Sequence, residues 1–73
     1  MNAEREFFRV VKEEKDTVLE IFGERTVRPI SGAVIVKTAE DCITIRVSAR
    51  AVLRIGEYLY VWDAEKRVLE PQC

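Results

Sequence analysis

From Ile43 to Ile55 every odd position is apolar (Ile43, Ile45, Val47, Ala49, Ala51, Leu53, Ile55), while the even positions are Thr44, Arg46, Ser48, Arg50, Val52 and Arg54. A period of two is the mark of a strand with one buried face. The run poses a geometric problem. Thirteen extended residues span about 43 Å, whereas a globule of this length is roughly 30 Å across. The run therefore bends, breaks or protrudes. Two forms are open for 48–54: a bent strand, or a strand followed by a helical turn that Ser48 caps and Gly56 ends.

The segment before it follows another rhythm. Phe7, Phe8, Val10 and Val11 are followed eleven residues later by Val18, Leu19, Ile21 and Phe22. Eleven residues are three helical turns at 3.67 residues per turn, so all eight fit on one half of a helix. Asn2 supplies an N-cap, Glu4 and Glu6 suit the positive end, and Gly23 stands where a left-handed residue ends a helix. The polar interval Lys12–Thr17 admits a second form, with a helix ending near 14 and a strand beginning at Thr17. Because Glu20 shares a strand face with Val18 and Phe22, the continuous helix over about 3–22 is favoured.

Pro29 and Gly32 mark a turn or an edge, since proline cannot donate to a ladder and glycine tolerates positive φ. Ala33–Lys37 reads as a strand, Ala39–Asp41 as a turn into the long alternation, and 57–62 with 67–70 as a hairpin around Asp63–Lys66. The expected fold is α+β: one domain over 1–73, with a helix in 1–23 packed on a β-rich 25–73. That part is read as a mostly antiparallel, four-stranded meander or partly open β-barrel.

Composition narrows the chemistry. Seventy-three residues carry 12 Lys+Arg, 13 Asp+Glu and no histidine. The missing imidazole removes the Ser-His and Cys-His nucleophile pairs and the usual catalytic zinc ligands. Ser31 beside Gly32 reads as a turn serine, and Glu13-Glu14 and Glu40-Asp41 as solvated acids. No catalytic residue, metal ligand or cofactor is assigned, and the chain reads as a non-enzyme. Cys42 lies in an apolar run and Cys73 ends the chain, so no CxxC pair exists; one disulfide is open, and the favoured form has Cys42 packed as a small hydrophobe. No apolar run is long enough for a membrane helix, which leaves a cytoplasmic protein as the expectation. One Asn and one Gln against ten Glu and eight Arg resemble the composition of heat-adapted proteins.

The formal net charge of −1 averages unlike segments: −3 over 1–24, +4 over 25–54 and −2 over 55–73. Tyr58, Tyr60 and Trp62 alternate with Leu59 and Val61. Where they fall relative to Arg46, Arg50 and Arg54 depends on the turn at Ile55–Glu57. If paired residue numbers sum to 111, the rings join the apolar face opposite Leu53, Ala51 and Ala49. If they sum to 112, rings and arginines share a surface able to stack bases and bind phosphates. Alanine opposite a large ring packs better, which favours 111.

The segment Val52-Leu53-Arg54-Ile55-Gly56-Glu57-Tyr58-Leu59-Tyr60-Val61 resembles the V-x-x-G-D/E-x-V-x-V stretch of many small β-barrels. These include the barrel caps of archaeal hexameric DNA-translocating ATPases and, with Ile43-Thr44-Ile45, the swapped-hairpin domains of transition-state regulators. The Gly-Arg before Ile43 and the proline after Ile45 of the regulators are missing. The resemblance covers ten to twenty residues and implies a glycine turn between apolar strands, without a function.

Two functional expectations follow. The first is an interaction module that assembles with itself through an edge strand or through the helix, with Phe7, Phe8, Val11, Val18 and Phe22 at the interface. A partner of another kind of protein fits the same logic. The second is a nucleic-acid-binding accessory domain using Arg46, Arg50, Arg54, Tyr58, Tyr60 and Trp62. No membrane partner is expected.

Overall fold

The computed structural model describes residues 7–13, 16–23 and 25–72. It is all-β, with six antiparallel strands: β1 (Phe8–Glu13), β2 (Thr17–Phe22), β3 (Val27–Thr38), β4 (Cys42–Ile55), β5 (Tyr58–Asp63) and β6 (Val68–Gln72). The sheet runs β1-β2-β4-β5-β6, with β3 paired to β4, and it curls into a half-barrel.

The expected helix is absent from the described part of 3–22, and the α+β class with its four strands is corrected to an all-β fold of six. The two apolar groups are related by antiparallel pairing of β1 with β2, not by three helical turns. Phe8 pairs with Ile21 and Val10 with Leu19. Leu19 and Ile21 are fully buried, with Phe8 and Val10 packed beside them. On the other face Glu20, the residue that spoke against a strand, forms a 2.6 Å ion pair with Arg9, its direct cross-strand partner. The Arg9 guanidinium also lies 5.5 Å from the Phe22 ring centroid, which shields one outward aromatic. Gly23 (φ +91°) leaves β2 and donates its N–H to the Asp41 carbonyl, tying the hairpin to the β3–β4 turn. The expected cap at Asn2 and the acids Glu4, Glu6 and Glu14 lie outside the described residues.

β4 organises the rest. The molecule measures 29 × 25 × 21 Å, so fourteen straight residues cannot fit, and the strand bends instead of turning helical. Between the pairs Ala33↔Val47 and Pro29↔Leu53, five residues of β4 face three of β3. Surplus backbone in one strand bends it. Arg50 absorbs the bend with φ +64°, and Gly32 answers it on β3 with φ +70°. Before the bend β4 pairs with β2 from Cys42 to Val47; beyond it Val52–Ile55 pair with β5. One strand thereby serves two hairpins that close toward each other. The buried core is Leu19, Ile21, Val27, Ile45, Val47, Ala51, Leu53, Ile55, Trp62 and Leu69. Ala49, expected inside, is exposed because the bend carries it outward.

Candidate functional site

The β4–β5 turn decides which surface carries rings. Its central residues are Gly56 and Glu57, and only Gly56 has positive φ (+66°), the requirement of a two-residue type II′ hairpin. The pairs are Ile55↔Tyr58, Leu53↔Tyr60 and Val52↔Val61. Paired numbers sum to 113, so neither 111 nor 112 is the register. The odd sum still places the rings on the inner face, each shifted two residues from the 111 partners. Trp62 is 2% exposed and meets the Phe8 ring edge-on at 6.3 Å. Tyr60 lies 5.4 Å from Phe7, whose ring sits 4.9 Å from the Arg25 guanidinium carbon. Tyr58, at the tip, is 64% exposed.

The six residues of the nucleic-acid surface therefore do not form one surface, although Arg50 and the edge of Trp62 line the same cleft. Arg46 points outward from the first half of β4, 3.8 Å from Asp16. Arg50 stands at the bend, over a cleft of about 560 Å³ shared with Asp63, Glu65 and Glu70. Arg54 lies on the outer face, opposite Leu59 on one side and Arg28 on the other. Of the three aromatic side chains, only Tyr58 presents most of its surface to a base.

The five residues of the helical interface are also dispersed. Phe7 and Phe8 pack inward against Tyr60 and Trp62. Val11 is exposed where β1 and β2 shift register, while Val18 and Phe22 are half-buried on the outer face. Cys42 is a free thiol opposite Phe22; Cys73 lies outside the described residues.

The cleft beside Arg50 is built for structure. The Asp63 carboxylate accepts the backbone N–H groups of Glu65 (3.0 Å) and Lys66 (3.1 Å), and Glu70 is paired with Lys66 at 3.2 Å. These acids are occupied in holding the β5–β6 turn. Among the described residues no three Asp, Glu or Cys side chains are grouped to hold a metal.

The surface that the sequence pattern did not single out is β3. Twelve residues long, it contacts β4 and no other strand, so one full backbone edge is open among the described residues. Ile30, Val34, Ile35 and Val36 are all exposed along it. The other open edges belong to β1 and β6, of six and five residues, both shorter than β3; β3 and β6 each contain one proline, Pro29 and Pro71. The signal for β3 was present in Ala33–Lys37, an apolar run without alternation, but its exposure follows only from the pairing order. Near its start Arg28 lies directly across from Arg54, and together with Thr26 they line a cleft of about 380 Å³. Neither arginine has an ion-pair partner among the described residues.

This half-barrel defines an all-β class, and no helix among the described residues is long and apolar enough to cross a membrane. No family model, curated protein or solved structure matches the chain.

Proposed function

We propose that this chain is a small, non-enzymatic interaction module of the cytoplasm that works by assembling with further copies of itself. The observation that carries this reading is the open edge of β3 with its exposed Ile30, Val34, Ile35 and Val36. An unpaired strand edge presents a row of backbone donors and acceptors, and natural proteins normally shorten, charge or cover such an edge. Covering each half-exposed branched side chain stabilises by about 1 kcal/mol. A domain of this size holds only roughly 4–10 kcal/mol in all, so self-association is a large contribution here. Sedimentation equilibrium at micromolar concentration tests it. The expected mass is a multiple of 8.4 kDa; a strict monomer up to about 100 µM, far above the dissociation constants of stable dimers, overturns it.

A further inference from the structure

Three features compete for a specific assignment: the Arg50 cleft, the outer face around Leu59, and the open edge of β3. In the first, Asp63 and Glu70 are engaged in the β5–β6 turn. The second is a scatter of apolar side chains with nothing opposite to identify a cover. The third carries its own complement.

We propose that two copies pair antiparallel along β3, about a two-fold axis through Val34, with the acidic β3–β4 turn of each seated on the arginine pair of the other. The inference rests on the self-assembly reading and assigns its contact. A two-fold axis perpendicular to a sheet keeps inner face with inner face and, placed at Val34, sets that residue opposite its own copy. Over the regular stretch it sets Ala33 opposite Ile35 of the partner, and beyond it carries each end of β3 toward the opposite end of the partner's strand.

Charge selects Val34 as the centre. Arg28 lies six positions before it, beyond the bend at Gly32, and Glu40 six positions after it, in the turn that follows β3. The pairing therefore brings Arg28 and Arg54, directly opposed on the outer face, beside the Glu40-Asp41 turn of the second copy. Two cations without ion-pair partners among the described residues meet two such acids, at both ends of the interface. Within a chain, like charges facing across a strand pair are destabilising, and a second copy removes that cost. Lys37, the remaining cation of β3, is carried toward Ser31 and meets no like charge. The centre also carries the regular stretch Ala33–Ile35, between the register shifts that precede Ala33 and follow Ile35. Val34 and Val36, 54% and 52% exposed, lie at and beside the axis, Val34 on the outer face, and Ile35 and Ala33 meet on the inner face. The product is one sheet continuous across two half-barrels.

The test exchanges charges on surface positions. In a dimer of the Arg28→Glu variant, positions 28 and 40 are acidic at both junctions; in a dimer of the Glu40→Arg variant they are basic at both. Each variant alone should dimerise at least tenfold more weakly than the parent chain in sedimentation equilibrium. An equimolar mixture should form a heterodimer. At one of its junctions the two substituted side chains face each other with the charges exchanged, and at the other the native Arg28 faces the native Glu40. Far-ultraviolet circular dichroism checks that both variants are folded, and raising salt from about 50 to about 500 mM should weaken the parent dimer. If the parent chain oligomerises but both variants associate as it does, the β3 pairing is overturned and self-assembly stands. If the parent chain is monomeric, both fall. Restoration by mixing is the outcome that a nonspecific hydrophobic contact does not produce.

Discussion

Gly32 shows how much of this fold rests on single backbone conformations. Its φ of +70° is costly for any residue with a side chain, and a β-carbon there would lie 2.6 Å from the Ser48 hydroxyl oxygen. That hydroxyl donates to the Gly32 carbonyl at 3.2 Å, locking the bends of β3 and β4 together. Gly32→Ala is expected to destabilise by about 2 kcal/mol in urea denaturation, from the left-handed φ and the displaced serine. In a Ser48→Ala background the same substitution should cost only about 1 kcal/mol, the φ contribution alone. Arg50 bears a similar φ penalty on the facing strand, without glycine's freedom. Nothing in the residue letters of Ala49-Arg50-Ala51 marks that position. That the run cannot lie straight within the globule was legible from its length, while the choice of a bend and its site depended on where Ser48 and Gly32 meet.

At the scale of elements, turn chemistry separates what could be read from what could not. The β5–β6 hairpin was legible because Asp63 begins a polar tetrapeptide between two apolar runs. Its carboxylate accepts two backbone N–H groups, and the Arg67 N–H donates to the Asp63 carbonyl. Asp63→Ala should therefore lower stability by about 1 kcal/mol, with Asp63→Asn retaining most of it, as read by thermal unfolding followed by circular dichroism. The β1–β2 hairpin was hidden. Its polar turn region reads as a saddle on a helix, and its apolar doublets at i, i+1, i+3 and i+4 satisfy a helical stripe. Outward Val11, Val18 and Phe22 supplied the misleading half of that stripe. What favours strands is pairing: Leu19 and Ile21 meet Ile45 and Ile43 on the already β-patterned β4, and a helix would leave that edge uncovered.

For the whole molecule, closure depends on rings from distant parts of the chain. Phe7 and Phe8 reach Tyr60 and Trp62 across the open side of the half-barrel, joining two hairpins that share only β4. Trp62 at 2% exposure should emit as a buried indole, resist acrylamide quenching, and remain unquenched by single-stranded oligonucleotide at low salt. An oligonucleotide-dependent loss of that emission would show that the rings can be opened to a base. With the rings engaged inside, the long edge that closure does not reach is that of β3.

By itself the sequence carried the elements whose signal is local: the alternating run from 43 to 55, the need for it to bend, break or protrude, the hairpin around Asp63–Lys66, and a preference for Tyr58, Tyr60 and Trp62 on the apolar face. These follow from a period of two, a contour length and turn residues, all contained in a few neighbouring positions. The tertiary structure decided the rest. A three-turn repeat and a mirrored strand pair give the same order of apolar letters over 7–22, and only β4 as a pairing partner separates them. The ring register of 113 came from the two-residue turn at Gly56, whereas the open edge of β3 depends on which strand lies beside which. That choice is made by backbone hydrogen bonds between residues far apart in the chain, and no short stretch of the sequence contains it.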